Sequence, residues 1–199
     1  MARTRSKDFD NIRASILDKT AALFAERGYA ATSIGDIAEA CESSKSRLYH
    51  YFDSKEAILS QMLTEHVDRL LKGCHEALSN YPDPVERFRE LVTFFMKIYA
   101  VSSNKHVVLL TCIHFLPDQA RETVLRKERE LVTFIRDIIM RIRPDIARNR
   151  DLSHIDTMLF FGMINWTYTW YEADGDISSD ELAARAVDLF LGGYRALPA

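Results

Sequence analysis

Seven glycines and five prolines are all that 199 residues offer for sharp turns. That scarcity argues against the many hairpins of a sandwich or barrel and leaves long helices. The boundaries agree, because nearly every one carries a helix start or stop signal. Residues 8–28 set Ile12, Ile16, Leu23 and Phe24 at helical positions ahead of Gly28, which suits a C′ position. Thr32 or Ser33 can cap a short helix to about Ala40, and a second short helix runs from about Ser44 to Phe52. Asp53 followed by Glu56 reads as a capping box for a long helix from Ser54 to about Asn80. At about 1.5 Å per residue that helix spans about 39 Å. Asp83-Pro84-Val85-Glu86 combines a cap, a proline at N1 and an acid at N3, so a helix covers about 84–101. Further helices are expected at about 104–115, 118–142 between Pro117 and Pro144, 152–173, and 179–195 behind a Ser178/Glu181 capping box. The expectation is an all-α chain of about nine helices. A small three-helix domain occupies residues 1–54, and a larger helical body occupies 55–199.

Charge narrows the partners. A formal net charge of −3 excludes a protein that coats nucleic acid through bulk charge. Locally the balance differs: between Ser44 and Lys55, Lys45, Arg47 and Lys55 face only Asp53, a basic tip that suits phosphate contact. The 47% hydrophobic content marks a globular chain. Cys41, Cys74 and Cys112 form no CxxC pair and fit a reducing compartment. The N-terminus lacks the apolar stretch of a signal peptide, and no run suggests a membrane span, so a soluble cytoplasmic protein is expected. His66/His75 and His106/His114 are nine and eight residues apart, not the i, i+4 spacing of a helical metal pair. Neither metal nor cofactor is expected. With no nucleophile–base pair, paired carboxylate or phosphate loop standing out, an enzyme is not expected either.

Residues 33–52 carry the function. Two short helices flank the tight turn Cys41-Glu42-Ser43, the geometry of a helix-turn-helix whose second helix enters the major groove. At about 100° per residue, Ser44, Leu48 and Phe52 share one face and pack toward Ile34, Ile37 and Ala38. Ser46 and His50 then lie about 160° from Leu48, with Arg47 and Tyr49 beside them and Lys45 at the edge. Arg47 can donate two bonds to guanine, and Ser46 and His50 can read base edges or backbone. Tyr49, Tyr51 and Lys55 are expected to hold phosphates, and the amides near Thr32 and Ser33 to take another. Arg3, Arg5 and Lys7 form a basic arm that can reach a minor groove.

Ala22, Phe24, Gly28, Thr32, Ile37-Ala38, Leu48-Tyr49-His50-Tyr51-Phe52 and Ser54-Lys55-Glu56 together resemble the TetR/AcrR family of bacterial regulators. The resemblance covers about the first 60 residues. It implies a helix-turn-helix head, a dimer on a palindromic operator, and an effector pocket in the C-terminal domain. Two positions depart from the family pattern. Cys41-Glu42-Ser43 stands where the family usually carries small-Gly-Val, so Glu42 must accept the glycine position with a positive φ, and Ser46 replaces a common glycine.

Met158 to Tyr171 is apolar on nearly all sides, as a helix facing both its own core and a partner would be. The last helix, through Leu182, Ala186, Leu189, Phe190 and Tyr194, can supply the second half of a symmetric four-helix interface. The stretch from Phe161 to Gly175 is similar to TetR-type regulators of fatty-acid and aromatic-acid breakdown, which implies an acyl-CoA effector. Its pocket would be lined by Phe95, Tyr99, Leu110, His114, Phe134, Phe161, Asn165 and Tyr168, with Arg126 and Arg129 at the mouth. The expected function is a repressor released from its operator by that effector. An efflux regulator answering lipophilic drugs is the alternative, with an all-α enzyme or a protein-interaction module further off.

Overall fold

The computed structural model describes residues 2–144 and 150–196. Among them the chain is helical throughout, without strands. The helices are α1 (Ala2–Arg27), α2 (Ile34–Ala40), α3 (Lys45–Tyr49), α4 (Lys55–Asn80), α5 (Pro84–Val101), α6 (Ser103–Cys112), α7 (Asp118–Ile142), α8 (Arg150–Asn165) and α9 (Ser179–Ala196). Short 3-10 turns follow α6 at Ile113–Phe115 and α8 at Trp166–Thr169.

Local chemistry sets most ends. Gly28, directly past α1, has φ +82°, a conformation that costs glycine nothing. Asp83 caps α5 by accepting from the amides of Val85 and Glu86 at 3.0 and 2.9 Å. Ser178 and Glu181 form the reciprocal box at the start of α9. Several ends differ from expectation, among them α1, which begins at Ala2, and α6, which gives way to 3-10 after Cys112. Ser54, not Asp53, caps α4 by accepting from Ala57 N–H at 3.1 Å, and the Glu56 carboxylate is turned to the Tyr29 hydroxyl instead. Helix α3 stops at Tyr49, because His50 and Tyr51 donate to carbonyls three residues back and tighten the chain into a turn. Helix α8 stops at Asn165, where Thr167 and Thr169 donate their hydroxyls to the carbonyls of Ile164 and Trp166 and the α-helical ladder gives way to 3-10.

The chain forms two compact units that are not consecutive in sequence: Met1–His66 with Asn104–Val124, and Val67–Ser103 with Leu125–Ala199. The long helices α4 and α7 each contribute to both. The first unit centres on Ile16, Leu17, Ala21 and Phe24 of α1, with Ile37, Leu48, Phe52, Ile58, Met62 and Val108, all buried. His66 and His106 are buried side by side in it, their ring nitrogens 3.3 Å apart. In the second unit, Phe88 of α5, Phe160 of α8 and Phe190 of α9 form a mutually touching triangle of rings, 4.9–5.5 Å apart. Ion pairs Arg89–Asp188 and Lys97–Asp180 run along the α5–α9 seam. On α4, a Cβ at Gly73 would strike the Phe94 ring of α5, so a side chain there would require that ring to move. No helix among the described residues is long and apolar enough to cross a membrane.

Candidate nucleic-acid interface

Helix α2 begins with a full capping box. Ser33 Oγ accepts from Asp36 N–H at 3.2 Å while Asp36 Oδ2 accepts from Ser33 N–H at 2.7 Å. The Ser33 side-chain and backbone bonds hold the Asp36 carboxyl below its usual range. The helix ends in a Schellman turn: Ser43 N–H reaches Ala38 O and Glu42 N–H reaches Glu39 O, each at 2.9 Å. Glu42 occupies the left-handed position with φ +51°, as the departure from glycine requires. Ser44 then caps α3 through Arg47 N–H at 3.1 Å.

That turn aims α3. Leu48 and Phe52 face down, 2% and 5% exposed, onto buried Ile37 and Ala38. Lys45, Ser46, Arg47, Tyr49 and His50 face out, all exposed. No salt bridge engages Lys45 or Arg47 among the described residues. The Lys45 stem crosses Gly35, where an added Cβ would come within 3.2 Å of its Cε. Ser33 and Ser44 are exposed with their hydroxyl oxygens engaged in caps. The Tyr51 ring lies half-buried against Phe9. A short helix with an apolar underside and unpaired bidentate and ring donors outside has the chemistry to read base edges.

Two expected contacts take other roles. Thr32 is buried, its hydroxyl donates to Gly28 O at 2.9 Å and its amide to Tyr29 O at 3.3 Å, so its amide is engaged at the exit of α1, as the Ser33 amide is by Asp36. Lys55 Nζ donates to Tyr29 O and Thr32 O at 2.9 and 2.8 Å and sits 4.1 Å from the Tyr29 ring centre. Its charge braces the α1–α2 connection from within the protein. Tyr29, which sequence reasoning missed, organises this brace. Its hydroxyl donates to Glu56 at 2.9 Å and its ring stacks on Phe115 at 4.8 Å. Burial, and then the Glu56 carboxylate, push that hydroxyl well above the ordinary tyrosine range. The side chains of Arg3, Arg5 and Lys7 lie outside the described residues.

A second surface is apolar. Phe160, Phe161 and Ile164 of α8 are buried, while Leu152, Ile155, Met158 and Leu159 on its other side are 46–66% exposed. On α9, Leu189, 58% exposed, is the large apolar side chain among the described residues that adds to an apolar exterior. Ala186 and Tyr194 are buried at home, and Phe190 stacks on Phe88, because the α5–α9 seam claims that face.

Residues 16–62 match the family described as bacterial regulatory proteins, tetR family, and residues 81–194 match a tetracyclin repressor-like C-terminal domain. The chain belongs to the TetR family. It is 30% identical over 186 residues to the transcriptional repressor KstR2 of Rhodococcus jostii, covering 91% of this chain and 90% of that one. A TetR-family regulator from Bordetella parapertussis is 57% identical and superposes with a TM-score of 0.90 over 95% of this chain and 98% of that one. The regulator AibR, solved with isovaleryl coenzyme A and operator DNA, shares the fold with a TM-score of 0.77 at 24% identity, over 89% and 97% of the chains. This TetR-family chain is therefore a DNA-binding transcriptional regulator, not an enzyme, and acts on operator DNA as a dimer.

The expected effector residues of this regulator are dispersed. Phe95, Tyr99 and Phe161 are buried in the second unit, where Tyr99 donates to Asn165 Oδ1 at 3.1 Å. Burial, foremost, drives the Tyr99 hydroxyl far above its usual range and the Cys74 thiol up to about 12. Burial also raises the Glu128 carboxyl. Phe134 packs edge-on against His75. Tyr168, Arg126 and Arg129 are exposed in the second unit, and Leu110 and His114 are exposed in the first. Within the second unit, Phe95 and Phe161 are core residues. A groove of about 630 Å³ between α4 and α7 includes only Arg126 of the set, beside Lys72, His75, Lys127 and Glu130. Among the described residues no cluster of three or more metal-ligating side chains forms.

Proposed function

We propose that this regulator is a cytoplasmic repressor whose dimer leaves a palindromic operator when it binds an acyl-CoA thioester. The observation that carries the DNA part is the stripe of Ser46, Arg47 and Tyr49 on α3 with His50 just past its end, exposed above buried Leu48 and Phe52. Arg47 reads guanine, Ser46 and His50 contact base edges, and Lys45, Tyr49 and Tyr51 hold phosphates at the groove wall. Residues 1–54 act as the reading head and 55–199 as the effector and dimer domain. The outward row Leu152, Ile155, Met158 and Leu159, with Leu189, meets the same row of a second copy about a twofold axis. Two heads on that axis match half-sites about 34–36 Å apart.

Likeness to KstR2, a repressor, over nine-tenths of both chains supports repression. The shared fold of AibR, solved in complex with isovaleryl coenzyme A and operator DNA, supports the effector class. The Tyr99–Asn165 hydrogen bond is a polar handle that the effector would use within the second unit. It must favour a dimer with heads off groove spacing over the DNA-bound one, since a ligand indifferent to the two states shifts nothing.

Selection of bound duplexes from a random pool gives the operator. A labelled operator complex titrated with acyl-CoAs and their free acids then gives the effector. Recovery of a palindrome and release by the thioesters are the expected outcomes. DNA affinity that stays flat across every compound would remove the effector class and leave the regulator standing. A dimer that ignores every duplex at low salt would remove the whole reading.

A further inference from the structure

Helix α3 ends at Tyr49, so His50 and Tyr51 sit beyond the last turn of the helix whose reading they extend. Ring orientation there is not fixed by helical neighbours. Helix α1 supplies what is missing. Its Phe9 ring lies 4.7 Å from the Tyr51 ring, tilted by 32°, and meets the His50 ring edge-on at 6.0 Å. His50 and Tyr51 meet each other edge-on at 5.3 Å, closing a cluster of three rings. One turn along the same helix, the Arg13 guanidinium lies 5.0 Å from the centre of the Phe52 ring. The α1 face therefore grips three consecutive aromatic residues, 50 to 52, each at the end of the reading segment. Phe9 does this while 37% exposed, well short of the burial that the core residues of α1 reach. Its position is accounted for by the two rings it touches rather than by the core.

We infer that Phe9 is a positioning residue for DNA reading. Its ring holds the His50 imidazole and the Tyr51 phenol in the orientations that the groove requires, without itself touching a base. The inference rests on the proposed reading by α3 and adds a residue outside the helix-turn-helix to the determinants of specificity.

The test uses the full-length dimer, the operator recovered by selection, and a set of duplexes each changed at one base pair. Phe9→Ala should lose about 2- to 10-fold in discrimination at the base pair that His50→Ala also relaxes, the range set by what one or two aromatic contacts are worth. The double variant should be no worse there than His50→Ala alone. Phe9→Trp, which keeps a ring, should retain discrimination. Phe9→Leu, which keeps bulk and protects folding, should behave as Phe9→Ala does. A merely structural role would lower the thermal midpoint and weaken every duplex alike. That result, unchanged discrimination in Phe9→Ala and Phe9→Leu, or effects additive with His50→Ala would each overturn the inference. Two failures can be told apart. If wild type discriminates through Arg47 but not through His50, Phe9 loses its role and the reading head keeps its own. If wild type binds no duplex, the reading head fails as well.

Discussion

Helices α3 and α8 treat their surfaces in opposite ways. Helix α3 hides Leu48 and turns lysine, serine, arginine and tyrosine to solvent. Helix α8 buries Phe160, Phe161 and Ile164, yet leaves Leu152, Ile155, Met158 and Leu159 exposed on its far side. A polar exterior with unpaired donors is stable in water and loses little until a groove replaces the water. An apolar exterior of four adjacent side chains is costly in water and is relieved when a matching surface covers it. The first helix is built to visit a partner, the second to keep one.

The largest effect should come from attacking the apolar face. Leu159→Glu places a charge at a 66% exposed position, so the subunit itself should stay folded. The dimer, however, must then bury a carboxylate against a second copy of itself. Sedimentation should show monomers, and operator affinity should fall about 100-fold or more, because the second head no longer benefits from being tethered to the first. A dimer that survives the substitution would move the partner face off α8.

Arg47→Ala probes the other side of the contrast. Removing the guanidinium should cost about 1–3 kcal/mol at one base pair per half-site and leave other positions intact. Titration against single-base-pair variants of the operator checks this. Equal weakening on all duplexes would reassign Arg47 to phosphate and blunt the distinction between a reading helix and a merely basic one.

Legibility in sequence follows how far a residue reaches. Gly28, Asp83 and Ser178 act on amides or dihedrals within three residues, so their caps are written locally and the structure has them where spacing put them. Glu42 is legible only through the resemblance: it stands at the family's glycine position in the turn, and φ +51° is found there. Lys55 is the contrary case. Sequence spacing sets it beside the basic tip, but its partners are carbonyls 26 and 23 residues upstream, at Tyr29 and Thr32, and nothing local encodes that return. The α9 face fails for a related reason, since Ala186 and Tyr194 are apolar whether they meet α5 or another subunit. Phe9 had a usable signal, three and seven residues ahead of Ile12 and Ile16 on one helical face, but its ring partners lie forty residues away. The effector residues carried the least information. Apolar and aromatic types suit a pocket and a core alike, and here Phe95 and Phe161 are core.

Lys55→Ala sharpens the comparison by separating bracing from contact. Loss of two charge-assisted hydrogen bonds and the contact with the Tyr29 ring should lower stability by about 1–2 kcal/mol, or several degrees in thermal midpoint. DNA binding should weaken on all sequences, but the slope of log affinity against log salt should hold. A phosphate contact would instead reduce that slope by about one and leave the midpoint alone.

Glu42→Gly should give the smallest change and the opposite sign. A side chain at φ +51° costs about 1–2 kcal/mol, and glycine there loses roughly 0.5–1 kcal/mol through its freer unfolded chain. The difference favours glycine by about 0.5–1 kcal/mol, a rise of about 1–4 °C in the thermal midpoint. The Schellman bonds from Glu42 and Ser43 are backbone bonds and survive the change. Glu42 is also exposed and negative beside the reading helix, so removing it should raise affinity for every duplex, most at low salt, without altering base preference. A fall in the midpoint would mean that the Glu42 side chain contributes more to the turn than its backbone strain takes away. An altered base preference would mean that the turn, and not α3 alone, sets which bases are read.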